Sequence, residues 1–425
     1  MLHQPKLKEL SFLVYGLGLS GKSVVNFLKE KNIKNFKVWD DKRKDIYKNY
    51  RSQNLNLTLK LVDYIILSPG ISLKNNNRLS KFKKKIITDI DLFYLAYSKF
   101  KSIVVTGTNG KSTTCKLLAH LIKKNKLKFK LGGNIGTPIL NLKNPKKSFV
   151  IIEASSFQLE YSKFVCPDYA FFLNFSNDHL DWHGSKINYL KSKLKIFSLQ
   201  RKNHYAIINK KIKKAFLKKK FLSKLIIPKF DEYKKIKNQI KNDYLTLDVN
   251  NENMNFVYTF SKLINIKKST FIHAMKSFQG LPHRFEIFLK KGNIAFINDS
   301  KATSFSASKH ALSSLKNIFW IVGGLPKNKD KLNFLLFKKN IIKIYIIGKH
   351  TDFFKKQIKG KIAFSITKNI KNSVFQILKD SRLKKIDKGF VLLSPSAASF
   401  DQFDNFEKRG EEFKRLTKKY VRKLL

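Results

Sequence analysis

The segment Thr106-Gly107-Thr108-Asn109-Gly110-Lys111-Ser112-Thr113 constrains this chain more than any other. It follows the apolar run Ile103-Val104-Val105 and precedes a helix-like stretch from Thr114 to Ile122. Apolar strand, glycine turn, Lys-Ser-Thr and helix is a layout of parallel α/β sheets. Glycines let backbone N–H groups curl around an anion, Lys111 adds positive charge, and Ser112 or Thr113 offers a hydroxyl to Mg²⁺. A strict phosphate loop has glycine where this chain has Val105, but the strand–helix setting still predicts binding of ATP or GTP.

The rest of the chain follows the same α/β rhythm. Phe12-Leu13-Val14-Tyr15 reads as a strand, Gly16-Leu17-Gly18-Leu19-Ser20-Gly21 as a turn, and Lys22 to Lys31 as a helix. The next strand, Phe36 to Asp40, ends in an acid, so residues 16–40 satisfy the spacing of a dinucleotide fingerprint. Further strands are expected at Tyr64–Leu67, Phe149–Ile152, Tyr169–Leu173, Ile294–Ile297, Ile318–Val322, Ile344–Ile347 and Phe390–Leu393. Strands alternating with helices imply mostly parallel, covered sheets. The lysine-rich stretch 210–241 reads as irregular and solvated, with short helices.

The chain has 425 residues, of which 43% are hydrophobic, and a formal net charge of +58. Such a charge suits a polyanion partner. It also suits AT-rich coding, because lysine, isoleucine, asparagine and phenylalanine are abundant together while arginine is sparse. The lysines are spread along the whole chain, and nucleic-acid interfaces favour arginine forks, so coding bias is the preferred reading and no nucleic-acid partner is expected. Cys115 and Cys166 are too few for a disulfide framework and point to a reducing compartment. With no apolar run of about 18 residues, no membrane span is expected, and the cytoplasm is the predicted location.

Three strand-end clusters carry possible chemistry. Glu153 follows an apolar strand, where an acid beside a phosphate loop holds Mg²⁺, although Glu153-Ala154-Ser155-Ser156 also suits a helix cap. Asn174-Phe175-Ser176-Asn177-Asp178-His179 gathers groups for a metal or a phosphate, or forms an Asx-rich loop. Ser68-Pro69-Gly70 is a turn that could line a ligand.

Together with Gly280-Leu281-Pro282-His283-Arg284-Phe285-Glu286, these blocks resemble the Mur ligases, ATP-dependent amino-acid ligases of peptidoglycan synthesis. Asn298-Asp299-Ser300-Lys301-Ala302-Thr303 and the run from Leu393 to Gly410 resemble the branch that adds D-glutamate. The resemblance runs from residue 16 to 413 in family order. It implies three domains: a Rossmann-like domain over 1–95 for the uridine nucleotide, a central P-loop ATPase domain over 96–280, and a Rossmann-like domain over 281–425 for the amino acid. Its substrates would be ATP, UDP-N-acetylmuramoyl-L-alanine and D-glutamate, and the enzyme would be a monomer without membrane contact.

The resemblance also assigns residues. Gly107, Thr108, Asn109, Gly110, Lys111, Ser112 and Thr113 would cradle ATP, with Asn250 and Asn253 near the adenine and Arg284 and Asp299 reaching it from the third domain. Val249 stands where the family usually has histidine. Two Mg²⁺ sites are implied: Ser112, Thr113 and Glu153 would serve the first, and His179 the second. Lys193 matches the family lysine that takes up CO₂ as a carbamate ligand, with Lys191 the other candidate. Leu19, Ser20, Asp40, Lys42, Ser68, Gly70 and Asn134 would hold the nucleotide sugar. Lys301, Thr303, Lys327, Ser399 and Phe406 would shape the D-glutamate pocket.

Overall fold

A computed structural model describes residues 7–134, 136–242, 244–246, 248–326, 331–380 and 386–424. Three sheets account for its strands. The first comprises β1 (Phe12–Tyr15), β2 (Phe36–Trp39), β3 (Tyr64–Leu67) and β4 (Ile86–Ile87), all parallel, in the order β2-β1-β3-β4. Every residue of β1 is buried, as expected of an apolar strand covered on both faces. The following helix is Leu19–Glu30 and starts three residues earlier than the sequence suggests. Gly21 therefore sits inside its first turn, where a Cβ would lie 1.8 Å from the Gly16 carbonyl oxygen. Only glycine lets helix and strand approach so closely.

The second sheet comprises β5 (Lys101–Thr106), β6 (Phe129–Gly133), β7 (Phe149–Glu153), β8 (Tyr169–Phe172), β9 (Tyr205–Ile208) and β10 (Lys224–Ile226). It is parallel throughout, in the order β10-β9-β8-β5-β7-β6. The connection from β5 runs to one side and later strands fill the other, so the crevice at the carboxyl end of β5 is a topological switch point. β10 corrects the sequence reading of 210–241. That stretch holds the helices Lys213–Lys218 and Phe230–Lys237, but also a three-residue edge strand pairing Lys224, Leu225 and Ile226 with β9. The three adjacent apolar residues Leu225-Ile226-Ile227, closed by Pro228, are too short a run to show a strand period.

The third sheet comprises β11 (Glu286–Lys291), β12 (Ile294–Asn298), β13 (Ile318–Gly323), β14 (Ile341–Ile347), β15 (Phe364–Lys368) and β16 (Gly389–Leu393), ordered β11-β12-β16-β13-β14-β15. Its strands are parallel except β11, which forms a hairpin with β12.

By contacts the chain divides into two compact units, one reaching Ile240 and including Glu252–Ser277, the other made of Lys241–Asn251 and Phe278 onward. Within the first unit one apolar core joins the first two sheets. The seam is polar as well. Asp91 Oδ1 accepts the N–H groups of Lys163 (2.9 Å) and Phe164 (2.7 Å), and Gln158 donates to Asp89 at 3.0 Å. Among the described residues no helix is long and apolar enough to cross a membrane.

Candidate active site

β5 delivers the chain to the switch point, and the helix Lys111–Lys124 starts where the glycine turn ends. Gly110 has φ +79°, and a Cβ there would lie 2.3 Å from Asn253 Oδ1. The turn therefore demands glycine on two counts. Lys111 folds back over the loop, its Nζ donating to the carbonyls of Gly107 (2.8 Å) and Thr108 (2.7 Å). Asn174, just beyond β8, braces the other side: its Oδ1 accepts Asn109 N–H at 2.9 Å and its Nδ2 donates to Asn109 O at 3.3 Å. Asn253 Oδ1 accepts from Thr114 at 3.2 Å, which brings this predicted adenine-side residue to the loop's helix.

Glu153 ends β7, in register with Val105 and Gly133. Ser112 Oγ donates to its Oε2 at 2.6 Å, and Asn134 Nδ2 donates to its Oε1 at 3.0 Å. Hydroxyl and carboxylate thus meet beside the phosphate loop, both almost fully buried. Thr113, the other candidate hydroxyl, is buried in the same turn. Asn134, assigned by resemblance to the nucleotide sugar, is brought to this carboxylate.

Lys193 lies in the helix Lys186–Leu194 with 1% of its surface exposed, whereas Lys191 is exposed. Its Nζ donates to Gly107 O at 2.9 Å and sits 4.7 Å from the Tyr189 ring centroid. Burial pushes its pKa far below the usual lysine value and the Lys111 cation adds to this, against the pull of Asp178 and Glu153. His179 takes a left-handed conformation (φ 51°), places Nε2 3.5 Å from Asp178 Oδ2, and packs edge-on to Phe157. His183, one helical turn on, is a residue the sequence reading missed. It is 4% exposed, meets Ser156 Oγ at 3.0 Å, and has its pKa pushed down to about 4, by burial first and then by Lys193 and His179. The i, i+4 spacing in His179-Leu180-Asp181-Trp182-His183 was the available signal. Among the described residues, no three His, Cys, Asp or Glu side chains come together as a ready-made metal cage.

At the first sheet, Leu19 is 84% exposed at the start of its helix and Ser20 is half-buried. Asp40 is committed to the glycine turn: it accepts the N–H groups of Leu17 (2.6 Å), Lys42 (2.9 Å) and Arg43 (2.8 Å). Burial alone would raise its pKa, but these amides outweigh it and the carboxyl lies below its usual range. Ser68 Oγ donates to Gly16 O at 2.8 Å, while Lys42 and Gly70 are exposed. Asp41, not singled out from sequence, accepts from Tyr15 OH (2.9 Å) and Trp39 Nε1 (2.9 Å).

In the second unit, Asn250 donates to Tyr244 O at 2.7 Å. Asp299 accepts Phe285 N–H (3.1 Å) and Ser394 Oγ–H (2.7 Å), and Arg284 acts on it electrostatically. Lys301 Nζ stands 3.7 Å from the Phe406 ring centroid. Ser399 is buried, Thr303 is half-buried, and Lys327 lies outside the described residues. Arg409, unread from sequence, is 1% exposed and holds this region together. It donates to Ser300 Oγ (3.0 Å), Ser300 O (2.8 Å) and Ala397 O (3.0 Å), and Ser300 Oγ in turn donates to Phe406 O (2.8 Å).

Residues 105–274 match the family model "Mur ligase middle domain". The UDP-N-acetylmuramoylalanine–D-glutamate ligase of Rickettsia felis is 34% identical over 442 residues, covering 97% of each chain. That of Rickettsia prowazekii is 35% identical over 445 residues, covering 97% of this chain and 99% of the relative. Among solved structures, MurF ligase from Thermotoga maritima in complex with ADP superposes with a TM-score of 0.61 at 14% identity, covering 99% of this chain and 98% of that one. UDP-N-acetylmuramate-alanine ligase MurC from the same organism gives 0.55 at 14% identity over 97% of this chain. At such identities the structures speak for the fold alone.

Proposed function

The chain belongs to the Mur ligase family, and from that premise we propose that it joins D-glutamate to UDP-N-acetylmuramoyl-L-alanine using ATP. The observation that carries this reading is the meeting of Lys111 and Lys193 on the carbonyl of Gly107, at 2.8 and 2.9 Å, beside a Ser112–Glu153 pair. A carboxylate is a poor electrophile. Transfer of the ATP γ-phosphoryl group to the L-alanyl carboxylate gives an acyl phosphate, and the amine of D-glutamate then displaces phosphate. Both substrates and ATP are anionic, so charge compensation dominates the barrier.

The chain's own residues divide this work. The amides of the 107–113 loop and Lys111 hold the β- and γ-phosphates. Ser112 and Glu153 fit a Mg²⁺ ion, since a phosphate-bound Mg²⁺ needs only one or two protein oxygens and keeps its waters. Mg²⁺ bound there would neutralise phosphate charge as the phosphoryl group moves. Lys193 fits a carbamate: only a neutral amine reacts with CO₂, and burial favours the neutral amine. The carbamate would give His179 an anionic oxygen partner for a second Mg²⁺, at a place where the described residues gather no ready-made cage.

The helix Leu19–Glu30 would receive the diphosphate of the nucleotide sugar at its N-terminus, with Ser68, Gly70 and Lys42 beside it. Lys301, Thr303, Ser399 and Phe406 would receive D-glutamate, whose two carboxylates call for cations and hydroxyls. The three sheets would serve as nucleotide-sugar, ATP and amino-acid domains of a cytoplasmic enzyme.

Phosphate release with UDP-N-acetylmuramoyl-L-alanine tests the reading. Release should require D-glutamate and be supported by neither L-glutamate nor RNA. RNA-stimulated hydrolysis without D-glutamate would sink it.

A further inference from the structure

Glu252 opens the helix Asn251–Leu263, between the two asparagines assigned to the adenine side. Its Oε2 accepts from Asn174 Nδ2 and its Oε1 from Asn209 Nδ2, both at 2.6 Å. Those asparagines follow β8 and β9, so one carboxylate clamps the carboxyl ends of two neighbouring strands. Asn209 is fixed at its other atoms, its N–H donating to Phe172 O (3.1 Å) and its Oδ1 accepting Lys211 N–H (2.9 Å). Asn174 uses its remaining capacity on the backbone N–H and carbonyl of Asn109, in the phosphate loop.

An ionised carboxylate only accepts, so it dictates that both amides turn their NH₂ groups toward it. Asn174 is then obliged to turn its oxygen to the Asn109 N–H. A carboxylate in this part-buried position is costly unless its oxygens are satisfied, and burial indeed raises its pKa against the two amide donors and Lys211. We propose that Glu252 is a positioning residue for ATP: through Asn174 it fixes the Asn109 peptide, and with it the loop amides that receive the phosphates. The inference rests on ATP binding at the 106–113 loop and adds to it a residue that touches no substrate.

Donor–acceptor logic supplies the test. In Glu252→Gln one of the two asparagine NH₂ groups must face another NH₂. A double variant combines Glu252→Gln with Asn209→Asp. There the new glutamine amide donates to the new carboxylate at position 209 and still accepts from Asn174, with the total charge unchanged. Equilibrium ADP binding, steady-state kinetics and thermal midpoints would be measured for wild type and both variants. E252Q should bind ADP and ATP about tenfold more weakly, the effect of one mismatched part-buried pair. Its KM values for D-glutamate and the nucleotide sugar should stay unchanged. The double variant should recover nucleotide affinity to within about threefold.

E252Q with wild-type ADP affinity, equal losses for all three substrates, or a double variant no better than the single one would each overturn the proposal. If E252Q does not fold, the double variant carries the test, and its failure to fold or to bind ADP overturns the proposal as well. Wild-type protein that fails to bind ADP would overturn the loop assignment itself, and this inference with it.

Discussion

Lys193 Nζ donates to the carbonyl of Gly107 at 2.9 Å, which ties a buried amine to the first glycine of the phosphate loop. Burial and Lys111 hold that amine's pKa well below 10.5 in the folded protein. Between the folded value and 10.5 the folded chain binds fewer protons than the unfolded chain, so this lysine's cost to stability is greatest at low pH and is relieved as pH rises toward 10.5. Lys193→Met removes the titration but also the hydrogen bond, so the slope is the informative quantity. In CO₂-free buffer, the melting temperature of K193M minus that of wild type should shrink as pH climbs from about 7 to about 10. A difference independent of pH would show that the lysine is charged in the fold.

Lys193→Ala tests the carbamate. Loss of a preorganised charge in a catalytic site costs about a hundredfold to a thousandfold in kcat. Formate or acetate should restore part of that loss, because a small carboxylate fits the space vacated and supplies the missing oxygens. The absence of rescue in a variant that folds and binds metal would argue that Lys193 acts as an amine.

Glu153 receives Ser112 and Asn134 on different oxygens, so the three residues should fall in order. Glu153→Gln keeps the shape and removes the charge that a cation needs, and should cost most. Ser112→Ala should shift the Mg²⁺ dependence of turnover by about tenfold to a hundredfold, and Asn134→Ala by about tenfold, as partners that orient a ligand do. Mg²⁺ titration of initial rates measures all three. An E153Q enzyme with an unchanged Mg²⁺ midpoint would remove Glu153 from the metal site.

Parts of this site are legible in sequence because a rare backbone shape demands glycine next to an apolar strand; Gly107, Gly110 and Lys111 announce themselves. Lys193 does not, since its helix also carries Lys186 and Lys191 and only burial separates them. Arg409 is hidden for a similar reason. It reads as one cation on a charged terminal helix, yet it is 1% exposed and bonded to two loops. Asp40 shows the reverse case. Its place at a strand end suggests a ligand contact, and the three backbone amides its oxygens accept are a local role that spacing does not show. Glu252 belongs to no pattern of spacing, because its partners lie 78 and 43 residues away.

Lys111→Ala should abolish acyl-phosphate formation and leave nucleotide-sugar binding intact, since its Nζ lies over the phosphate loop, on the carbonyls of Gly107 and Thr108, and the nucleotide sugar is assigned to the first sheet. Isothermal titration with UDP-N-acetylmuramoyl-L-alanine, beside a phosphate-release assay, separates the two effects. Loss of both would mean that the variant misfolds.

Phe406 and Lys301 offer a test of the amino-acid pocket that leaves the phosphate loop alone. The ammonium stands 3.7 Å from the ring centroid, and Ser300 and Arg409 fix the backbone on either side. A cation over an aromatic face is worth about 0.5–2 kcal/mol, depending on how dry the site is. Phe406→Leu keeps an apolar side chain but removes the ring's negative face, so Lys301 loses its orientation while keeping its charge. The KM for D-glutamate should rise about twofold to thirtyfold, with the KM for ATP unchanged. Lys301→Met should raise it further, because it removes the charge that a substrate carboxylate would meet. If F406L instead raised the KM for ATP and spared D-glutamate, the pair would belong to the nucleotide side and the pocket would have to be sought elsewhere in the third sheet.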